Sequence, residues 1–316
     1  MLLRTAAFLL LALGLVCLSG VGRALAFSGP APTQFLVRGD GRVAYDDSGG
    51  PGPLLIAIPG MGESRHQYRL LRPRLVAAGF RVVTMDVRGQ GASSARWSDY
   101  SARAVGGDAL ALIGHLGRSQ AFLLGNSFAA GAALWAAHEQ PGAVLGIGML
   151  GPILRDPPTG LFTRLVLDLG LAGPWRTWFW MSYWDGLFPL RRPADHADYR
   201  RQLVSMLREP GRMDALRTMI GLSKAATEAL VGQVDVPVLV VMGDRDPDFP
   251  DPVAEAAWIS RTTPARVMLV PGAGHYPHVE APDPVAAEIF HFFQWQLRLA
   301  GRPATEPAAG TAKPPV

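Results

Sequence analysis

Two apolar patterns alternate along most of this chain. Short runs of consecutive apolar residues have the length of strands that are buried on both faces, and they occupy residues 54–58, 81–86, 121–124, 144–150, 236–242 and 266–270. Segments with helical spacing separate them, at residues 68–78, 102–116, 128–138, 252–260 and 283–299. An antiparallel hairpin is predicted ahead of them, with strands at 35–38 and 42–45. Since parallel strands are joined by crossover helices, the alternation predicts an α/β fold with a mostly parallel, doubly wound sheet.

The alternation stops between Gly151 and Gln233, where helical segments follow one another without a convincing strand. One of these segments predicts a helix over residues 202–219. A stretch of this length is too long for a loop, so we interpret it as a helical cap inserted between two strands. The predicted domains are a core in two parts, residues 27–151 and 234–300, a cap at 152–233, and a disordered tail rich in Pro and Ala at 301–316.

The first 26 residues have the composition of an export signal. Arg4 precedes an apolar run over residues 6–21, and Ala24-Leu25-Ala26 offers the small residues that signal peptidase recognises. This predicts a signal peptide that is cleaved before Phe27, and an exported protein, periplasmic or extracellular. The run is close to the shortest length that spans a bilayer, so an uncleaved N-terminal anchor with membrane association is the alternative.

Composition narrows the classes of partner. Hydrophobic residues make up 49% of the 316 residues and charged residues 18%, which is typical of a globular protein with a large core. The net charge of +4 is dispersed without a basic stripe, which argues against a nucleic-acid partner. The single cysteine, Cys17, lies in the N-terminal segment, so a cleaved protein would contain neither disulfides nor thiolate metal sites. The sequence leaves the oligomeric state open.

A sharp turn centred on Ser127 is the first candidate for chemistry. An apolar strand ends at Gly125, an Ala-rich helical segment begins just after Ser127, and small residues stand at Gly125 and Ala129. A strained strand-to-helix turn needs small residues two positions to either side of the serine. It presents the hydroxyl beside the free N–H groups of a helix N-terminus. The pattern predicts a serine nucleophile, with a helix N-cap as the alternative role.

A serine nucleophile requires a base and an acid that orients the base. Three carboxylates, Asp244, Asp246 and Asp248, follow one predicted strand, and two histidines, His275 and His278, follow the next. Because open parallel sheets place their sites at the carboxyl ends of the strands, we expect these groups to lie near the serine.

Backbone donors for a developing oxyanion are predicted after the first buried strand. Pro59-Gly60-Met61-Gly62 follows that strand, and its glycines allow the backbone to approach a ligand closely. The N–H groups of Met61 and Phe128 are the natural pair of donors for this oxyanion hole.

Five motifs in this order resemble those of the capped α/β-hydrolases, over nearly all of residues 33–300. They are Pro59-Gly60-Met61-Gly62, the segment 86–93, Gly125-Asn126-Ser127-Phe128-Ala129, the segment 243–247 and Gly272-Ala273-Gly274-His275. The resemblance implies the α/β-hydrolase fold with Ser127 as nucleophile, Asp246 as acid and His275 as base. The family's acid commonly precedes a proline, which favours Asp246 over Asp244 and Asp248. Its histidine commonly ends a Gly-x-Gly-His run, which favours His275 over His278.

The resemblance implies a serine hydrolase that cleaves a moderately apolar carboxylic ester, either a small molecule or a lipid, through an acyl-enzyme. No cofactor or metal is expected. Serine at the nucleophile position argues against the dehalogenase and epoxide-hydrolase branches, whose motif has aspartate there. Asn126 resembles the residue before the serine in hydrolases that cut carbon–carbon bonds in ring-cleavage products, which gives one alternative. A non-catalytic binding protein that has kept the fold is another.

Aromatic residues are concentrated in the predicted cap, at 175–188. Packing of the cap onto the core accounts for most of them. The alternative role is a wall of a large apolar acyl or aromatic pocket, or a lid that meets lipid. The candidate substrate-binding residues are Trp178, Trp180 and Trp184.

Overall fold

An eight-stranded sheet forms the centre of the fold. The computed structural model describes residues 32–156, 160–299 and 301, so the predicted N-terminal signal or anchor and the tail after residue 301 lie outside the described residues. The strands are β1 (Gln34–Arg38), β2 (Gly41–Asp47), β3 (Leu54–Ile58), β4 (Arg81–Met85), β5 (Ala121–Asn126), β6 (Val144–Leu150), β7 (Val238–Gly243) and β8 (Ala265–Val270).

The sheet has the strand order β1-β2-β4-β3-β5-β6-β7-β8. β1 and β2 form the predicted hairpin, and β2 pairs antiparallel with β4. All neighbours from β4 to β8 are parallel. The mostly parallel α/β sheet predicted from the apolar runs is therefore confirmed.

Helices cover both faces of the sheet. They are α1 (Arg72–Ala77), α2 (Ala102–His115), α3 (Phe128–Glu139), α4 (Leu161–Gly170), α5 (Arg176–Gly186), α6 (His196–Leu207), α7 (Arg212–Gly221), α8 (Ala225–Glu228), α9 (Pro252–Thr262), α10 (Pro277–Glu280) and α11 (Pro282–Leu299). Apolar residues of α2, α3 and α9 pack against one face, and those of α1 and α11 pack against the other. This double winding buries β3, β5 and β7 completely, which explains their uninterrupted apolar sequences.

Five helices of the described chain, α4 to α8, lie between β6 and β7, where the helical insertion is predicted. Side chains of α5, α6 and α7, including Trp184, Leu203 and Leu216, form an apolar cluster of their own with Tyr276. In contrast, α4 turns large apolar side chains to solvent, and Phe162 is 78% exposed.

The single helix predicted over residues 202–219 is wrong, because the chain forms α6 and α7 there. Pro210 and Gly211 lie between the two helices. Proline cannot donate the hydrogen bond that continues a helix, and Gly211 has a φ of 86°, in the left-handed region that glycine tolerates. This break lets both helices pack their apolar sides into the same cluster.

The parallel strands determine where a site can form. The loops that follow β3, β5, β6, β7 and β8 all leave the sheet at its carboxyl edge. Among the described residues, no helix is long and apolar enough to cross a bilayer.

Candidate active site

Ser127 alone makes the turn between β5 and α3. Its φ of 58° and ψ of −128° lie in a region that residues other than glycine rarely adopt. Ser127 is the one non-glycine residue with positive φ in the described ranges. A Cβ at Gly125 would lie 2.3 Å from the carbonyl oxygen of Ala129, so only glycine fits two positions before the serine. The structure has the sharp turn predicted from these small residues.

Hydrogen bonds to neighbouring loops hold this strained turn. The N–H of Ser127 donates to the carbonyl of Leu150 at 3.0 Å, and its own carbonyl accepts from the N–H of Ile153 at 3.2 Å. The preceding side chain, Asn126, donates to the carbonyl of Leu150 at 2.7 Å and to that of His275 at 3.3 Å. The loops after β5, β6 and β8 are thereby joined at the serine.

His275 and Asp246 form a buried pair at the same edge of the sheet. His275 Nδ1 lies 2.8 Å from Asp246 Oδ2, and both side chains are almost fully buried. Since a carboxylate only accepts, the neutral imidazole carries its proton on Nδ1 and leaves Nε2 as the acceptor. A Cβ at Gly151 would lie 2.6 Å from the His275 carbonyl oxygen and 3.4 Å from Asp246 Oδ2, so the pair needs a glycine there.

Charges around His275 determine its protonation. Burial disfavours the imidazolium, but the negative charges of Asp246 and Asp248 outweigh burial and raise the pKa of His275 to about 9. Such an environment stabilises the cation that a general base becomes after it accepts a proton.

The other predicted acids and bases lie in different surroundings. Asp244 Oδ1 accepts a hydrogen bond from the N–H of Gly272 at 2.7 Å, so it joins the loops after β7 and β8. His278 is fully buried and stacks on Tyr68 with ring centroids 5.2 Å apart. Burial, with the charges of His275 and Arg69, lowers the pKa of His278 to about 3, which favours the neutral imidazole.

The loop after β3, residues 59–64, lies against the serine. A Cβ at Gly60 would be 3.3 Å from the Cβ of Ser127, and the N–H of Gly60 donates to Gln67 Oε1 at 3.3 Å. Met61 follows in this β3 loop. Phe128 is the first residue of α3, and its N–H is among those that a helix leaves without an intrahelical acceptor. The two predicted oxyanion donors thus lie on segments that adjoin Ser127.

Comparison with known proteins identifies the family. The model of the alpha/beta hydrolase family matches residues 55–288, which is most of the chain and includes every group described above. The chain belongs to the alpha/beta hydrolase family. The predicted α/β-hydrolase fold is therefore confirmed.

The relatives of this chain carry the names of different enzymes. Epoxide hydrolase B of Mycobacterium tuberculosis is 33% identical over 140 residues, which are 40% of this chain and 39% of that relative, so the match spans about two fifths of its length. A hydrolase from Pseudomonas aeruginosa has a TM-score of 0.72 at 22% identity, covering 84% of this chain and 99% of the other. An esterase from Rhodococcus sp. has a TM-score of 0.70 at 22% identity, covering 83% and 98%. The two solved structures share the fold of this chain.

The three tryptophans predicted to bind substrate lie in different places on α5. Trp178 is 68% exposed. Trp184 is 1% exposed, and its Nε1 donates to Glu63 Oε1 at 2.6 Å. Trp180 is 8% exposed and packs on the β3 loop. The contact is so close that a Cβ at Gly62 would lie 2.5 Å from Trp180 Nε1. Trp180 and Trp184 therefore both contact the loop beside Ser127, and substrate contact by any of the three stays a prediction.

Glu63, a buried carboxylate in the β3 loop, is not indicated by any motif in the sequence. Besides Trp184, it accepts a hydrogen bond from the hydroxyl of Tyr199 at 2.6 Å, which joins the loop to α5 and α6. Burial raises the pKa of Glu63, although these two hydrogen bonds oppose the rise. Its partners are more than 100 residues away in sequence, so no local pattern points to them.

Asp248, which the family motif places second to Asp246, also lies at the site. Asp248 Oδ2 is 3.4 Å from His275 Nδ1. In the part of the chain that the structure describes, Asp246, Asp248 and His275 are also the one group close enough to share a metal ion, with ligand atoms within 4.8 Å of one another. A metal ion bound to Nδ1 would displace the proton that forms the hydrogen bond from His275 to Asp246.

Proposed function

We propose that this hydrolase cleaves carboxylic esters, with Ser127 as nucleophile, His275 as general base and Asp246 as the acid that orients the base. The observation that carries the proposal is the strained Ser127 turn, joined by hydrogen bonds to the loop of the buried His275–Asp246 pair. Strain of this kind costs about 1–3 kcal/mol and persists where the surrounding structure fixes it, often at active sites. A helix N-cap alone would not require it, and the Ser127 side chain makes no capping hydrogen bond.

The reaction follows from the roles of these atoms. Ser127 Oγ attacks the ester carbonyl carbon while His275 Nε2 takes its proton, and Asp246 stabilises the resulting imidazolium. The N–H groups of Met61 and Phe128 donate hydrogen bonds to the oxyanion. His275 gives the proton to the departing alkoxide, which leaves as the alcohol. A water molecule deprotonated by His275 then attacks the acyl carbon, and His275 returns the proton to Ser127 Oγ as the bond to the carboxylic acid breaks.

The name of the relative from Mycobacterium tuberculosis raises epoxides as a second substrate class. A serine that opened an epoxide would form an ether, which offers water no carbonyl carbon to attack, so the enzyme would stop after one turnover. An aspartate nucleophile would form an ester, which water can hydrolyse. Because serine occupies position 127, the chemistry of the nucleophile favours an ester substrate.

The surroundings of Asn126 bear on the alternative of carbon–carbon bond hydrolysis. Its side chain is fully buried, donates to two backbone carbonyls and accepts from Gln67 Nε2 at 2.9 Å. Because its amide group already makes these hydrogen bonds within the protein, Asn126 supports the turn. Its presence does not favour a carbon–carbon bond over an ester as the bond that is cleaved.

A substrate panel tests the proposal. We expect hydrolysis of p-nitrophenyl esters by the unmodified chain, a decline of roughly 10⁴-fold or more in Ser127→Ala, and no turnover of styrene oxide. A chain-length series from acetate to decanoate would define the acyl group. Esterase activity that survives in Ser127→Ala would contradict the assignment of the nucleophile. Turnover of the epoxide without esterase activity would favour the second substrate class, and inertness of folded protein towards both would favour a binding protein.

We also propose that α4 to α8 act as the cap that selects the ester, and that the chain is exported or membrane-anchored through its first 26 residues. The position of these helices between β6 and β7 and the contact of Trp180 with the β3 loop support the first proposal. Sequencing the N-terminus of the mature protein tests the second. A start at Phe27 would indicate a cleaved signal, retention of the apolar segment an anchor, and recovery of the full chain from the soluble cytoplasm would contradict both.

A further inference from the structure

His275 faces two carboxylates, and only one of them belongs to the proposed triad. Asp246 Oδ2 is 2.8 Å from Nδ1, and Asp248 Oδ2 is 3.4 Å from the same atom. Asp248 also donates its backbone N–H to Asp246 Oδ1 at 3.0 Å. The two acids therefore form one unit on the imidazole, although the chemistry of ester hydrolysis needs only one of them.

The second acid is held from the inserted helices. The hydroxyl of Tyr183, on α5, donates to Asp248 Oδ1 at 2.6 Å. The other oxygen, Oδ2, is buried and has no hydrogen-bond partner among the described residues. The positive charge of protonated His275 is the group that offsets its negative charge. Leaving a buried carboxylate oxygen without a hydrogen bond costs free energy. A residue that only shaped the loop would not need a carboxylate in this orientation.

We propose that Asp248 is a second acid of this site: a positioning residue that, held by Tyr183, stabilises the imidazolium of His275 together with Asp246. The inference rests on the proposed serine hydrolase reaction. In that reaction the imidazolium forms twice, once in each half of the catalytic cycle, and Asp248 stabilises it each time. Through Tyr183, the same contact links the inserted helix α5 to the catalytic base.

The charge balance around the imidazole gives the direction of the expected effect. The titratable groups that face it are Asp246 and Asp248 from the loop after β7, Glu63 from the β3 loop, Tyr183 from α5, Tyr276 beside it, and His278 and Glu280 from α10. Removing the negative charge of Asp248 weakens the stabilisation of the imidazolium, so the pKa of His275 must fall. The pH at which His275 becomes a competent base falls with it.

The most direct test is an NMR titration of His275 in full-length protein labelled at histidine Cε1, because it needs no substrate. We expect Asp248→Asn to lower the pKa of His275 by about 1 pH unit or more. Tyr183→Phe, which removes the donor and so favours protonated Asp248, should shift it less and in the same direction. Asp251→Asn is the matched control, since Asp251 is an exposed carboxylate nearby that caps α9 and asparagine caps equally well. An unchanged pKa in Asp248→Asn, or in Tyr183→Phe where Asp248→Asn does not fold, would overturn the proposal.

Kinetics give a second readout. The acidic limb of kcat/KM for a p-nitrophenyl ester should move to lower pH in Asp248→Asn by the same shift. In Asp246→Asn, Asp248 remains as the one carboxylate beside Nδ1, so Asp246→Asn should keep at least about 10-fold more activity than the double variant. Equal activities of these two variants would contradict the role of Asp248. Failure of the unmodified chain to hydrolyse any ester would instead refute the proposed function, and the NMR titration would still decide on Asp248.

Discussion

The loops beside Ser127 and the helices inserted between β6 and β7 are built on different principles. In the loops, backbone geometry determines the residue: a Cβ at Gly125 would lie 2.3 Å from Ala129 O, and one at Gly151 would lie 2.6 Å from His275 O. The inserted helices meet the core through side chains, as Glu63 meets Trp184, and on α4 they leave apolar side chains exposed. The loops that position the reacting groups through their backbone therefore tolerate few substitutions. The inserted helices, which use side chains, can change in sequence and so alter which substrate is bound.

The largest effect that this comparison predicts is on activity. Ser127→Ala should lower kcat by about 10⁴-fold or more, because the nucleophile is lost. The matched change in the inserted helices is Trp178→Ala. It should alter kcat by less than about 3-fold, because Trp178 is exposed, and its predicted contact with the substrate should act on KM. Steady-state kinetics with one p-nitrophenyl ester measures both. A loss in Trp178→Ala as large as that in Ser127→Ala would remove the distinction between the two regions.

The turn itself should be intolerant of a single methyl group. Gly125→Ala places a Cβ 2.3 Å from Ala129 O, and we expect it to cost at least about 3 kcal/mol of unfolding free energy. Gly107→Ala, in α2, is the control, since nothing lies within 4 Å of its Cβ and alanine favours a helix by about 0.5–1 kcal/mol. Urea denaturation measures the two values. Equal stabilities would show that the turn relaxes around the added atom.

The contact between the regions should depend on the shape of Glu63 more than on its charge. Glu63→Ala leaves Trp184 and Tyr199 without their acceptor in a buried site and should cost about 2–3 kcal/mol. Glu63→Gln keeps one acceptor for the Trp184 N–H, and its NH2 group can donate to the Tyr199 hydroxyl oxygen. Because it also removes the buried charge, it should stay within about 1 kcal/mol of the unmodified chain. A Glu63→Gln variant as unstable as Glu63→Ala would show that the charge itself is required.

Activity should depend on pH through His275. Its pKa is raised to about 9, and the protonated imidazole cannot accept the proton of Ser127, so kcat/KM should increase with pH up to a midpoint close to that value. An unperturbed histidine has a pKa of about 6.5, so a midpoint there would mean that the charges of Asp246 and Asp248 do not act on His275. A pH–rate profile at constant ionic strength distinguishes the two.

The smallest predicted effect is a gain in stability. Ser127→Gly relieves the positive φ of 58° and should add about 1 kcal/mol of unfolding free energy while abolishing activity. Ser127→Ala keeps the strain and should melt close to the unmodified chain. A Ser127→Gly variant that is no more stable than Ser127→Ala would mean that the turn is not strained.

Residues that act through the backbone could be predicted from the sequence. Gly125, Ser127 and Ala129 indicate the turn because sterics alone exclude larger residues, and continuous apolar runs indicate β3 and β5 because both faces are buried. The order of the acid and base follows from the order of the strands.

Contacts between distant segments could not be predicted in the same way. Glu63 meets Trp184 and Tyr199 across the molecule, and Asp248 meets Tyr183 65 residues earlier in the chain. The division of residues 202–219 into two helices was indicated by Pro210 and Gly211, and helical spacing on both sides obscured it. The different surroundings of Trp178, Trp180 and Trp184 depend on how α5 is oriented, which a run of aromatic residues does not specify.

The central claim is that Ser127 is an activated nucleophile, and covalent labelling tests it most directly. A fluorophosphonate probe transfers its phosphonyl group to an activated serine and releases fluoride. We predict one adduct per chain by intact mass, located at Ser127 by peptide mapping, and no adduct in Ser127→Ala. An unlabelled folded protein, or an adduct on another residue, would contradict the account.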